Sequence, residues 1–283
     1  MTDKPASPSP GDANDAGDGA VLGDGPLHTG SPLTRVLGVL ALAAVALWLL
    51  YGLVWSPPDV EMDDLVRVLY VHVPVAILMY VGSFLCTAAS ALWLWKRTPG
   101  WDALAVAGAE LGALFCALTL LTGAIWGRPT WGTFWTWDAR LTSTALLQVL
   151  LLGYLALRRV DPSPGGGSQR ASILGLLLIP NSMIVHYSVD WWRSLHQPAT
   201  ITKLDPTIEG DMLVALMVGL VAGGLVFAWL LVHRFRLAWL EQRVDRYDLD
   251  AAVAARRAEG GVQGNPGNPG SSGNPGEPGV QPA

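Results

Sequence analysis

Six stretches of this 283-residue chain are apolar for long enough to cross a bilayer. They run over 35–55, 68–95, 103–126, 140–158, 171–189 and 211–233. Each approaches or exceeds the roughly 20 residues that a helix needs to span the hydrocarbon core. The fifth is the most diluted, because Asn181, Ser182 and His186 interrupt its second half. This pattern predicts an all-α fold, a polytopic membrane bundle of about six helices. The two ends read differently. Residues 1–32 are rich in Pro, Gly, Asp and Ser, and the segment from about 259 repeats Asn-Pro-Gly. Such segments bury too little apolar surface to offset chain entropy, so both are expected to be disordered. The expected division is a tail over 1–32, a membrane domain over 33–240 and a C-terminal tail over 241–283. The first apolar run starts near Arg35, late for a cleaved signal peptide, and reads as a retained helix.

Composition strengthens the membrane reading and narrows the partners. Hydrophobic residues make up 51% of the chain and charged ones only 14%, a balance outside the soluble globular range. The net charge of −5 is drawn largely from the N-terminal tail (Asp3, Asp12, Asp15, Asp18, Asp24), and no basic face for nucleic acid stands out. Cys86 and Cys116 lie inside apolar runs, outside any C-x-x-C or C-x-x-C-H pattern, and read as buried free thiols.

Lys and Arg in short loops set orientation. With the N- and C-termini inside, the inner side carries Lys96, Arg97, Arg158, Arg159, Arg234 and Arg236, with further Arg nearby; the outer side holds the minority, Arg67, Arg128, Arg140, Arg193 and Lys203. The outer loops are then 56–67, 127–139 and 190–210. They contain most of the chemistry.

The strongest feature is the segment from Trp126 to Ser143, with Trp126, Trp131, Trp135 and Trp137 around Phe134 and ending in Asp138-Ala139-Arg140. An aromatic belt would spread over both interfaces and has no need for Gly and Pro between the rings. The cluster suggests a platform on which a large flat ligand stacks. Asp138 stands where it can cap the fourth span, and Arg140 can anchor an anionic group or snorkel to the headgroups. His72, in Tyr-Val-His-Val-Pro at the start of span two, and His196, in Ser-Leu-His-Gln-Pro of the third outer loop, fall on the same side. Neutral imidazole is a common axial ligand of haem iron, and two make a six-coordinate site. His28 lies in the tail, His233 at the inner end of span six, and His186 near the end of span five. Glu110 and Gln148 are polar positions inside spans, with no role assigned to them. Gly219, Gly223 and Gly224 read as close helix packing.

These motifs together resemble the haem exporter protein C family, a branch of the haem-handling membrane proteins of cytochrome c maturation. The resemblance is carried by RVLYVHVP, WGTFWTWDARLTS and YSVDWWRSLHQP, which follow one another in that family's order, and covers about 35–240. It implies non-covalent, b-type haem at the outer face of a bacterial inner membrane. It implies His72 and His196 as the axial ligands of the iron. Trp126, Trp131, Trp135, Trp137, Asp138 and Arg140 would hold the macrocycle, with Arg67 as a second cation for the propionates. Implied partners are ATP-driven transporter subunits, a small membrane peptide and a periplasmic haem chaperone. Nothing in the chain demands bond-making, since it has no nucleophile–base pair and no phosphate-binding loop; the expectation is a carrier rather than an enzyme. The alternatives are a membrane haem enzyme (a quinone oxidoreductase or haem lyase) and a scaffold whose tryptophans only anchor it.

Overall fold

The computed structural model describes residues 30–60, 62–160, 168–196 and 210–263. Of the tails expected to be disordered, 1–29 (with His28) and 264–283 lie outside them, as does Lys203, whereas Pro32 and 259–263 belong to helices. Helix α1 (Pro32–Leu50) begins three residues before the first apolar run because Ser31 caps it. The Ser31 hydroxyl accepts from the Thr34 N–H at 3.3 Å, and the Thr34 hydroxyl oxygen accepts from the Ser31 N–H at 2.7 Å. Pro32 fills the first turn, where no N–H is missed. A π-helical turn over Tyr51–Trp55 extends α1 before Ser56 breaks away. Then follow α2 (Val66–Lys96), α3 (Pro99–Trp131) and α4 (Ala139–Val160). The fifth span is two pieces, α5 (Gln169–Leu176) and α6 (Leu178–Trp191), with a break at Leu177, and α7 (Gly210–Gln263) is the longest element.

Six of these segments are long and apolar enough to cross a membrane, as the hydropathy pattern predicts. The chain is a polytopic helical bundle. Its large outward-facing side chains on the spans are apolar, such as Val39 and Leu42 on α1, Phe84 on α2 and Leu152 on α4. Lipid tolerates that face and water would not.

The centre is the pair α2 and α3, which approach closely enough to need glycine. A Cβ on Gly82 would lie 2.6 Å from the Gly112 Cα. Around this seam Cys86, Cys116, Leu147, Leu151 and Tyr154 are fully buried, and both thiols are free. Of the three glycines of span six, a Cβ on Gly219 would lie 2.7 Å from Trp48 Nε1 and one on Gly223 3.1 Å from Leu78; a side chain on Gly224 would meet open space.

Two boundaries differ from expectation. Helix α3 does not stop at Trp126 but winds through Arg128 and Pro129 to Trp131, where Gly132 (φ 78°) ends it with its N–H on the Arg128 carbonyl. The second outer loop is therefore shorter than 127–139, and one of its tryptophans, Trp131, is helical. Helix α7 continues past 233 and through 240 without a break, because 234–258 is rich in Ala, Arg and Leu, all strong helix formers. At 1.5 Å per residue it is about 80 Å long, far beyond a bilayer's hydrocarbon.

The end of the bundle near Pro99 is tied by charge. Arg158 of α4 grips the buried Asp102 of α3 with two bonds of 2.5 and 2.7 Å, and Gln242 of α7 donates to the same carboxylate at 2.6 Å. Two turns further along α3, Glu110 pairs with Arg234 of α7 through both guanidinium nitrogens that face it. Glu110 is thus an interhelical ion pair.

Candidate functional site: a cavity between imidazoles

At the other end of α3, a cavity of about 170 Å³ opens among α2, α3, α4, α6 and the segment after α6. Its wall includes His72, Tyr80, Arg140, His186, His196 and, at the rim, Phe134 and Trp135.

His72 stands in the second turn of α2, and its orientation is fixed from α3. The Thr122 hydroxyl donates to the Leu118 carbonyl at 2.7 Å, which uses its only proton. His72 Nδ1, 2.9 Å from that hydroxyl oxygen, must therefore be the N–H donor. The neutral ring then carries its lone pair on Nε2. This is the tautomer that metal-binding histidines adopt when an acceptor holds the other nitrogen. Gly123 makes the approach possible, since a Cβ there would sit 3.1 Å from His72 Cε1.

His196 lies past the end of α6, and Asp138 positions it. One carboxylate oxygen accepts from the Leu195 N–H at 3.1 Å; the other accepts from the Ser194 hydroxyl at 3.0 Å and from the Arg140 N–H at 3.0 Å. Asp138 thus caps α4, as its position in the sequence suggests, and also ties down the loop that carries the histidine. The His196 ring leans on Trp131 with centroids 4.7 Å apart, and Trp131 in turn meets the edge of the buried Trp126 at 5.5 Å. Burial, and then the charge of Arg140 and the neighbouring His72, push the His196 imidazole down to about 4 against the opposing pull of Asp138. It is neutral at pH 7. Its Nδ1 is buried without a hydrogen-bond partner, 4.0 Å from the Asp138 carboxylate.

Arg140, one residue into α4, reaches across to α6 and donates to the His186 carbonyl at 2.9 Å. Its Nε is buried without a partner. A cation on the cavity wall with a spare N–H suits an anionic group of a ligand.

The residues expected from the sequence divide into three groups. His72, His196, Arg140 and Trp135 share the cavity wall. Trp126, Trp131 and Asp138 stand behind that wall and brace His196. Trp137 and Arg67 lie elsewhere: Trp137 is 83% exposed and meets the edge of Trp135, while Arg67 pairs with Asp64 at 2.9 Å and donates to the Leu53 carbonyl. Tyr80, Thr122 and Gly123 went unread. Tyr80 follows His72 by eight residues and Gly123 follows Thr119 by four, so helical spacing would have placed each on a cavity face.

Among the described residues, no three His, Cys, Asp or Glu side chains come close enough to hold a metal ion. The imidazoles of this cavity are therefore not a tripod for a bare cation. Two neutral rings, an aromatic rim and an unsatisfied guanidinium fit a flat metal macrocycle with acidic substituents.

Fold and site together define a multi-pass membrane protein with a cavity lined by histidines, aromatic rings and an arginine. The sequence matches the heme exporter protein C family over residues 27–250. It is 38% identical over 216 residues to heme exporter protein C of Haemophilus influenzae, covering 76% of this chain and 87% of that protein. The corresponding protein of Bradyrhizobium diazoefficiens is 39% identical over 214 residues (74% and 81% covered). A putative cytochrome c biosynthesis ccmC-like mitochondrial protein of Arabidopsis thaliana is 40% identical over 184 residues (63% and 66%). The chain belongs to the heme exporter protein C family, and its role is in haem delivery for cytochrome c maturation.

Proposed function

We propose that this chain holds b-type haem non-covalently in the cavity at the His72 end of the bundle, and presents it to a periplasmic chaperone. The iron is taken by His72 Nε2 from α2 and by His196 from the loop after α6. Arg140 neutralises a propionate, and Trp135 with Phe134 flanks the macrocycle. Trp126, Trp131 and Asp138 act through His196 by fixing its loop. Arg67 is left out, because its guanidinium is engaged away from the cavity. The observation that carries the reading is the Thr122 hydroxyl, whose one proton goes to the Leu118 carbonyl and so leaves the His72 lone pair on Nε2.

The excess of short-loop Lys and Arg at the Asp102 end supports termini inside and the cavity facing outward from a bacterial inner membrane. ATP-driven transporter subunits and a small membrane peptide are the proposed partners in loading it. Exchange needs no bond-making in the macrocycle, so the chain acts as a carrier.

The visible spectrum of the purified full chain from haem-replete cells tests this. A six-coordinate, low-spin spectrum is expected, and His72→Ala and His196→Ala should each convert it to five-coordinate or empty it. Retention of six-coordinate haem through both changes overturns the ligand assignment. A colourless protein overturns the haem reading itself.

A further inference from the structure

The cavity wall holds a third imidazole, His186, that the two-ligand site does not use. It lies on the penultimate turn of α6, about 7–8 Å along the helix from Trp191. Unlike His72 and His196, which are half-buried, its residue is exposed. His186 therefore both lines the cavity and reaches the surface of a membrane-spanning helix, the combination a lateral mouth requires.

Nothing fixes that ring by hydrogen bonding among the described residues. Its contacts are aromatic edges, Tyr187 at 4.9 Å and Tyr80 at 6.3 Å. The neighbouring surface is apolar: Met183, Tyr187 and Trp191 are all exposed, and Tyr187 stacks on Trp191 at 5.6 Å. An imidazole without a hydrogen-bond partner on such a face needs a reason, because polar groups in spans are costly unless they are used. Snorkelling towards headgroups leaves its place on the cavity wall unexplained. The main chain at this residue is also tied to the site, since Arg140 donates to the His186 carbonyl at 2.9 Å.

Haem iron has two axial positions, and among the described residues no three ligating side chains converge on one point. A third histidine therefore serves a different pose of the cargo. We propose that His186 is the capture ligand at the lateral mouth: haem arriving from the membrane side binds first through His186, then moves inward to His72 and His196. This rests on the haem-carrier reading above. The step is a ligand exchange. The iron–His186 bond breaks, lone pairs on His72 and His196 replace it, and the oxidation state of the iron does not change.

Haemin added to the purified full chain in detergent is the probe, read by absorption, resonance Raman and stopped flow. The His72→Ala/His196→Ala double variant should keep weakly bound, five-coordinate haem with an iron–imidazole stretch, and adding His186→Ala should remove that signal. His186→Ala alone should reach the normal six-coordinate end state about tenfold more slowly, the effect of ~1.4 kcal/mol on a barrier. Two results overturn the inference while leaving the His72/His196 reading intact: a double variant that binds no haemin, or a triple variant with an unchanged imidazole signal. Loss of the six-coordinate spectrum in His186→Ala alone also overturns it, by making His186 a resident ligand. If the unaltered chain binds no haemin, the carrier reading fails first and takes this inference with it.

Discussion

The two ends of α3 solve opposite problems. Asp102 and Gly123 lie about 31 Å apart along the helix at 1.5 Å per residue, close to the thickness of a bilayer's hydrocarbon. At the Asp102 end the carboxylates have matched guanidinium partners, Arg158 for Asp102 and Arg234 for Glu110. At the Gly123 end, Arg140 Nε and His196 Nδ1 are buried without partners, and His72 is held so that Nε2 stays free. At the first end the charges are paired with one another, although neutral atoms such as Gln242 Oε1 and Tyr154 OH lack partners there; at the second, a guanidinium and an imidazole are left over. The contrast is one of charge pairing, because both ends are polar.

The sharpest way to break the comparison is to remove one partner at the joined end. Arg158→Ala leaves Asp102 fully buried with only Gln242 beside it. Stripping one member from such a pair costs about 3–5 kcal/mol. A comparable loss in unfolding free energy is expected in detergent, with the haem spectrum of the surviving folded protein unchanged. A loss below about 1 kcal/mol would mean that Asp102 does not depend on its ion pair.

At the ligand end the largest effect without touching a ligand should come from Asp138. Asp138→Ala removes the acceptor for Ser194, Leu195 and the α4 cap at once. Hydrogen bonds to a charged group contribute about 1.5–3 kcal/mol each, but those of a loop are not additive, so about 2–3 kcal/mol of loop docking is expected to go. The spectrum should shift towards five-coordinate as His196 leaves. Asp138→Asn keeps one acceptor oxygen and should recover part of the six-coordinate fraction. Full six-coordinate haem in Asp138→Ala would show that the loop is held by something other than this carboxylate.

How far the sequence reaches differs between these two ends for a physical reason. The six spans are legible because hydropathy is a local property, and so is the Asp138 cap, two residues from the N–H it accepts. The Asp102–Arg158 pair joins residues 56 apart, and His72–Thr122 joins residues 50 apart. No local pattern announces either contact. Arg67 shows the reverse failure: assigned to a distant ligand, it is held by Asp64 only three residues away. The Trp-rich segment reads as one loop because Pro129 and Gly132 look like breakers, yet Pro129 fits inside the last turn of α3 and only Gly132 ends it. The tryptophans therefore divide into wall (Trp135), brace (Trp126, Trp131) and exposed surface (Trp137), which their spacing alone does not reveal.

Protonation sharpens the comparison by acting on one end only. His196 is depressed from the ordinary 6.5 to about 4 in the docked loop, by burial before anything else. A depressed imidazole favours docking above the undocked value, and that contribution is lost as pH falls from 6.5 towards 4. At pH 5.5, docking should be weaker by about 1 kcal/mol. Trp131, against the His196 ring, provides a fluorescence probe in haem-free protein. The transition is expected between pH 6.5 and 4 and should vanish in His196→Gln. A transition unaltered by that substitution would assign the titration to another group.

The smallest expected effect tests whether pairing alone explains the joined end. Glu110 and Arg234 form a forked pair, like Asp102 and Arg158, but their side chains are 25% and 38% exposed while Asp102 is at 0%. Solvent can replace much of what each charge loses, so Glu110→Gln should cost only about 0–1 kcal/mol despite the similar geometry. The comparison then rests on burial and pairing together: a charge needs its partner in proportion to how little water can reach it. A loss of about 3 kcal/mol or more, in the range of breaking a buried pair, would place Glu110 out of reach of water within the membrane. It would also extend the buried seam of the bundle two turns further along α3 towards the cavity.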